Sequence, residues 1–162
     1  MPGEVFGKSW NFASGAPIDE MSRKAARSRN GSGRPYSVGF DDIPGLARVL
    51  HAYWNQDNLS TYFLDEFSRV SLRYTFYRVT ESVLFLGDIV MYEYSSPGYV
   101  DSARADMMTS YLYTRDGSMT EIVSPRDGAY DKVTEYFDVD SSAHFEPVPE
   151  FGNWTSIRRY ER

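Results

Sequence analysis

The sequence contains no cysteine, and this absence removes several kinds of functional site at once. Disulfide frameworks, cysteine nucleophiles and thiolate-bound metals are excluded together. Histidine is scarce as well, because His51 and His144 are the only two in 162 residues. No His-x-x-x-His pair, glycine-rich phosphate loop or Gly-x-Ser-x-Gly motif occurs. The sequence therefore predicts neither a metal site nor a bound cofactor.

Long apolar runs are missing too. No run approaches the roughly 20 residues that a membrane-spanning helix requires, and the N-terminus lacks the charged-then-apolar pattern of a signal peptide. These two observations predict a cytoplasmic protein without membrane contact. A chain of 162 residues is also long enough to bury a core, so we expect a single domain over residues 1–162.

Acidic residues are missing from one stretch, residues 21–36, which carry five basic residues and a charge of +5. The whole chain carries −6, so the remainder carries −11. Serine, arginine, glycine and proline predominate over residues 15–37, which predicts a mobile basic loop or arm. An acidic body does not attract phosphate backbones, so nucleic acid is not the expected partner. A nucleic-acid-gathering assembly protein with this arm is the weakest alternative.

Aromatic residues, by contrast, are abundant: they make up 16% of the chain and include 13 tyrosines. Between residues 69 and 123, β-branched and aromatic residues form successive runs separated by turn residues such as Asp116-Gly117. This pattern is typical of a β-meander. The predicted strands are 4–14, 70–77, 83–94, 107–115, 118–124, 132–139 and 151–160, with a further strand or turn at 59–67.

One helix is predicted before the meander. Asp41 and Pro44 resemble a helix start, and apolar residues then recur at helical spacing as far as Asn55. His51 falls beside this apolar stripe and is interpreted as a partly exposed helical residue. We therefore expect a mainly β fold, in which seven or eight antiparallel strands form a barrel or half-open barrel covered by this helix.

Asp88 is the strongest candidate for a catalytic group. Alternation places it on one face of its strand with Leu84 and Leu86, where an unpaired carboxylate is costly to bury. Glu93 is a second candidate on the opposite face, and only one of the two faces can line an interior. Alternatively, Gly87 forms a bulge that turns Asp88 to solvent, and Glu93 is an ordinary charge at a strand end.

The remaining candidates are a histidine, an arginine and several aromatic residues. His144, the third catalytic candidate, lies in a proline-rich loop that could cap a barrel mouth. An arginine fork suits a carboxylate or an anionic ligand, and tyrosines can line a pocket and donate hydrogen bonds to it. The same tyrosines also suit a core or a cross-strand ladder. The predicted substrate-binding residues are Trp10, Arg73, Tyr74, Tyr92, Tyr111 and Tyr113.

Two functions are compatible with these features. The first is binding of a small apolar or aromatic molecule within the barrel, with or without a cofactor-free acid–base reaction of the isomerase, cyclase or lyase type. The second is an acidic protein-binding module, of the inhibitor or immunity type, that masks a basic protein partner. A cavity favours the first, whereas a filled interior and salt-sensitive association favour the second.

Overall fold

The computed structural model describes residues 3–162, which fold into an antiparallel sheet of eleven strands and two helices. The helices are α1 (Arg23–Gly31) and α2 (Thr155–Arg158), and no helix among these residues is long and apolar enough to cross a membrane. The strands are β1 (Val5–Asn11), β2 (Ala16–Met21), β3 (Tyr36–Gly39), β4 (Val49–Tyr53), β5 (Asn58–Leu64), β6 (Val70–Thr80), β7 (Val83–Glu93), β8 (Met107–Tyr113), β9 (Met119–Pro125), β10 (Lys132–Tyr136) and β11 (Phe145–Pro147).

The predicted mainly β meander is confirmed, because each strand from β3 to β10 pairs with the next along the chain. The closed barrel, one of the two predicted forms, is wrong, and the sheet has eleven strands rather than seven or eight. The order across the sheet is β2, β1, β3 and then β4 through β10, so β2 and β10 stand at opposite ends and the sheet stays open. Pro17 and the positive φ of Asp19 both lie in β2, and such features are typical of an edge strand that avoids further pairing.

The predicted helix that ends at Asn55 is also wrong, since its second half forms β4. Gly45 has a φ of 79°, which interrupts any helix at that point. Val49, Leu50 and Ala52 are buried on the two faces of a central strand. A strand that is buried on both faces carries a nearly continuous apolar run, and such a run matches helical spacing as well as it matches a strand.

The N-terminal-side helix is α1, which lies in the region predicted to be a loop, together with β2 and the start of β3. Ser22 caps it by accepting a hydrogen bond from a backbone amide in the first turn, and Ala26 is fully buried. The guanidinium groups of Arg23 and Arg27 each lie 5.7 Å from the centre of the Phe151 ring. Because that ring comes from a distant part of the chain, local composition did not reveal the helix.

The C-terminal residues 148–162 cover the sheet instead of supplying the strand predicted at 151–160. Trp154 and Ile157, in and before α2, are buried in the main core. The ring of Tyr36 lies 6.0 Å from that of Phe151 and 6.3 Å from that of Trp154. This segment therefore adds a second layer over the first half of the sheet.

The strands from β3 to β7 present two different faces. The one beneath α1 and residues 148–162 is called the covered face, and its buried side chains include Val38, Leu50, Leu59, Phe76 and Leu86. The opposite one is called the polar face. Strand register aligns five side chains across it, called the polar row: Ser37, His51, Ser60, Thr75 and Asp88.

Gly87 forms the bulge that its position in β7 predicted. Phe76 pairs with Leu86 and Thr75 pairs with Asp88, so Gly87 is the extra residue between them. An extra residue inverts the alternation, which places Asp88 on the polar face while Leu86 stays on the covered face. The expectation that Asp88 shares a face with Leu84 and Leu86 is therefore wrong.

Candidate functional site

The Gly87 bulge lies in an open depression with a volume of about 610 Å³ where β7 and β8 diverge. We call it the aromatic depression. Gly87 has no side chain, so the Tyr77 ring packs directly against it, and a Cβ atom there would lie 2.7 Å from Cδ2 of that ring. The lining residues are Tyr77, Phe85, Gly87, Tyr113, Thr114, Arg115 and Asp116.

The hydroxyl of Tyr77 connects this depression to Asp88. It donates a hydrogen bond to Oδ2 of Asp88 over 2.5 Å. Burial, together with that bond and the negative charge of Asp88, raises the pKa of Tyr77 to about 12, so the phenol stays protonated at neutral pH. Because its proton is directed at Asp88, the Tyr77 oxygen can accept a hydrogen bond from a ligand.

His144 stands beside the same depression. Its ring centre lies 4.3 Å from that of Tyr113 and 5.8 Å from that of Phe85. Its Nδ1 lies 2.8 Å from the carbonyl oxygen of Leu86, and a carbonyl only accepts, so Nδ1 carries the proton. In the neutral ring Nε2 is then the nitrogen with a free lone pair.

The rim of the depression is a rigid turn between β8 and β9. The hydroxyl of Thr114 donates to the carboxylate of Asp116, and the Ser118 hydroxyl donates to the same oxygen over 2.9 Å. These hydrogen bonds hold the pKa of Asp116 below its usual range. Gly117 completes the turn with a φ of 89°, as the Asp-Gly pair predicted. The rim therefore presents Arg115 and a fixed carboxylate.

His51, in the polar row, is enclosed by aromatic rings. The centres of Phe12, Tyr53 and Tyr62 lie 5.9, 5.9 and 4.9 Å from the centre of the imidazole. Burial lowers the pKa of His51 to about 4, so the ring is neutral at pH 7. Its Nε2 is buried without a hydrogen-bond partner among residues 3–162. Phe12 comes from the turn after β1, so the tip of the β1–β2 hairpin folds over this part of the polar face.

Arg73 lies on the polar face near the middle of the sheet. Strand register places it directly beside Tyr62 on β5 and Val90 on β7, with Tyr92 diagonal to it. Burial raises the pKa values of Tyr62 and Tyr92, and the positive charge of Arg73 partly offsets this at both groups. We call Arg73, Tyr62 and Tyr92 the Arg73 cluster. The Arg73 cluster is separate from the depression, but it lies on the same face of the sheet as Tyr77. The positive charge of Arg73 also lowers the pKa of Tyr77 slightly against the effect of burial.

Two predicted ligand contacts lie within packed regions. Tyr74 belongs to the main core on the covered face, where its hydroxyl donates to the carbonyl oxygen of Tyr160 over 2.6 Å. Trp10 is buried, and its ring fills the space that a side chain at Gly39 would need. Both aromatic residues therefore have evident packing roles.

Two further candidates lie away from the depression. Glu93 is exposed at the end of β7, on the opposite face to Asp88, as strand alternation predicted. Tyr111 pairs with Ile89 on one side and with Glu121 on the other, and burial followed by the Glu121 charge raises its pKa. Over residues 3–162, no three His, Asp or Glu side chains are grouped closely enough to hold a metal ion.

The structure thus places Tyr113 in the depression, with the His144 ring against it and Asp88 bonded to the Tyr77 hydroxyl, although these residues are far apart in the sequence. Sequence reasoning missed Tyr77 and Phe85, which form its walls. The available signal was Gly87: a bulge at that position moves Phe85 and Asp88 to the same face, whereas uninterrupted alternation separates them.

Comparison with protein-family models finds no family that matches this chain, and comparisons with curated proteins and with solved structures find no match either.

Proposed function

We propose that this protein binds a small planar aromatic molecule in the aromatic depression. The observation that carries the proposal is the Gly87 bulge, which leaves a floor without a side chain between three aromatic rings, those of Tyr77, Phe85 and Tyr113. Ligand sites are typically concave, mostly apolar surfaces with a few polar groups that orient the ligand. Aromatic rings of this kind favour a flat ligand through offset or edge-to-face contacts.

The polar groups around the depression support a ligand that carries a hydrogen-bond donor. The Tyr77 oxygen can accept a hydrogen bond, since its own proton goes to Asp88. The rim adds the carboxylate of Asp116 and the cation of Arg115. A planar molecule with a hydroxyl or amino substituent matches this arrangement.

Binding is the function supported here, rather than an acid–base reaction. A general base must reach the proton that it removes. Asp88 is engaged by the Tyr77 hydroxyl over 2.5 Å, and neither Asp88 nor His144 is among the residues that line the depression. The isomerase, cyclase or lyase reaction expected from the sequence would need one of these two groups to reach the ligand.

A titration with 2-naphthol tests the proposal. The probe is planar, neutral and carries one hydroxyl, and its binding is followed by amide chemical shifts in the full chain. We expect saturable binding that Tyr113→Ala weakens about fivefold, because one aromatic contact contributes about 0.5–1.5 kcal/mol. Tyr130→Ala is the matched control, because Tyr130 is 99% exposed and lies outside the depression. Equal affinity for the wild type and for Tyr113→Ala would contradict the proposal.

A second candidate function, an acidic protein-binding module, is favoured by one specific observation. The strands after β7 and the turns around them expose large apolar side chains: Tyr130, Val133, Tyr136 and Phe137 are 99%, 58%, 40% and 73% exposed. Exposed apolar groups of this size mark protein interaction sites when they are contiguous. If 2-naphthol shows no saturable binding, this candidate replaces the first.

A further inference from the structure

Among residues 3–162, Arg73 is a partly buried arginine whose side chain makes neither an ion pair nor a hydrogen bond. Arg158 also lacks an ion pair, but its Nε donates to the carbonyl oxygen of Ala47 over 2.9 Å. Arg69, Arg78 and Arg162 each lie within 4.0 Å of a carboxylate oxygen, from Asp65, Asp57 and Glu146 respectively. None of the ion pairs among residues 3–162 involves Arg73. Its Nε is buried and has no hydrogen-bond partner in that part of the chain; the same is true of Arg78 and Arg162, but these two have a carboxylate beside them. A buried N–H group without a partner is costly, because its lost hydrogen bonds to water are not replaced.

The side chains around Arg73 add hydrogen-bond donors rather than a counter-charge. Tyr62 lies beside it on β5 and Tyr92 lies diagonal to it on β7. Burial raises the pKa of Tyr62 to about 12, and it raises that of Tyr92 as well, so both phenols keep their protons at pH 7. The carboxylate nearest in register, Asp88, is held by Tyr77. A guanidinium with neighbouring phenol donors is suited to an oxyanion.

We infer that the ligand of the aromatic depression carries a carboxylate group, which Arg73 binds. This inference rests on the proposed function and names the class of ligand, an aromatic carboxylic acid. The two sites are within reach of one molecule: Arg73 and Tyr77 are four residues apart on β6, about 13 Å between Cα atoms in an extended strand. Both residues face the same side of the sheet, so an arginine side chain and a ligand together can span that gap.

A singly charged group fits better than a phosphate monoester. Arg73 is a single cation in this register, and the carboxylate of Asp88 lies diagonal to it. A phosphate monoester carries about −1.5 to −2 charges near pH 7 and would need a second cation beside Arg73, whereas Arg115 lies in the turn between β8 and β9. A carboxylate balances one guanidinium and matches its fork with two parallel hydrogen bonds.

Two probes with the same ring separate this inference from the proposed function. At pH 7, 2-naphthoate and 2-naphthol differ in charge but share the planar ring system. Charge-assisted hydrogen bonds contribute about 1.5–3 kcal/mol, so we expect the wild type to bind 2-naphthoate about tenfold more tightly than 2-naphthol. Arg73→Gln should reduce this ratio to about one. Arg34→Gln makes the same change of charge at an exposed position and should preserve the ratio.

Each outcome decides one of the two claims. Equal affinity of the wild type for both probes overturns the inference, and so does a tenfold ratio that survives Arg73→Gln. If both probes bind equally and Tyr113→Ala weakens both, the proposed function stands while the inference fails. If neither probe shows saturable binding, the proposed function fails. Comparison of the two probes on the wild type does not depend on the folding of any variant. Arg73→Lys keeps the charge but not the guanidinium fork, so it should lower the ratio of 2-naphthoate to 2-naphthol affinity to an intermediate value.

Discussion

The two parts of the sheet differ in what covers them. From β3 to β7, the covered face packs beneath α1 and residues 148–162, and side chains such as Leu59, Phe76 and Leu86 are fully buried. In β8, β9 and β10, which we call the extension, Ser110 is the only buried residue of the three strands. The same meander therefore continues from a two-layer structure into a single layer.

This difference indicates that the first part of the sheet provides most of the stability, whereas the proposed binding site lies at its boundary with the extension. Apolar burial is the dominant favourable contribution to folding, and it is concentrated in the first part of the sheet. The aromatic depression lies at the boundary, where β8 leaves β7 and Gly87 interrupts the register. Its floor at Gly87 and the walls formed by Tyr77 and Phe85 belong to the packed part, while Tyr113 and the rim belong to the extension.

The largest effect is expected from two leucines on neighbouring strands. Leu86 on β7 is fully buried, whereas Leu112 on β8 is partly exposed. Leu86→Ala should lower the free energy of unfolding by about 2–5 kcal/mol, because it leaves a cavity in a packed core. Leu112→Ala should cost about 1 kcal/mol, since less area is lost. Urea denaturation measures both, and equal losses would remove the distinction between the two parts.

A pH-dependent effect of about 2–3 kcal/mol should arise in the packed part, at His51. The pKa of His51 is about 4 in the folded protein, below the 6.5 of an unfolded chain. The unfolded state therefore binds more protons between these values, so folding stability is lost as the pH falls from about 6.5 to about 4. Each pKa unit corresponds to about 1.4 kcal/mol.

The measurement compares urea denaturation of the wild type and of His51→Gln at pH 7 and pH 4.5. Because other groups titrate in both proteins, the informative quantity is the difference between their free energies of unfolding. This difference should change by about 2–3 kcal/mol to the disadvantage of the wild type at pH 4.5. A difference that stays constant with pH would show that His51 is not buried as described.

A smaller effect is expected at the boundary itself. At Gly87, an added methyl group would lie 2.7 Å from the Tyr77 ring, so Gly87→Ala must displace that ring. We expect it to cost about 1–2 kcal/mol of stability and to weaken 2-naphthol binding. Gly31→Ala is the matched control: no atom lies within 4 Å of its added methyl group, and alanine favours the helix. Equal stability and equal binding for both variants would show that the bulge does not shape the depression.

The sequence predicted those strands that have one apolar and one polar face, or that are flanked by a recognisable turn sequence. Alternation defined β6, and Asp116-Gly117 identified the hairpin between β8 and β9. Prediction from the sequence failed for β4, which is buried on both faces, and for α1, whose arginines pack on the distant Phe151 ring. In both regions the deciding contacts are tertiary, so local patterns could not reveal them.

For the candidate site, the sequence predicted individual residues but not their arrangement in space. Asp88, His144 and Tyr113 were selected for their chemistry; the 3-10 turn before β11 places His144 against the Tyr113 ring, and Asp88 contacts the depression through Tyr77. Tyr77 and Phe85 were not selected, since only the extra residue in β7 places this pair on the same face as Asp88. Such a bulge depends on pairing between strands, which a single sequence does not display.

Binding in the aromatic depression is tested most directly by a map of the backbone amide shifts that 2-naphthol produces in the wild-type protein. We expect the largest shifts around Gly87, on the neighbouring segment of β6 at Tyr77 and in the turn from Tyr113 to Asp116, with small changes in α1 and at the far end of the sheet in β2. Shifts centred on the exposed aromatic residues near Tyr130 and Phe137, with none around Gly87, would contradict binding in the depression.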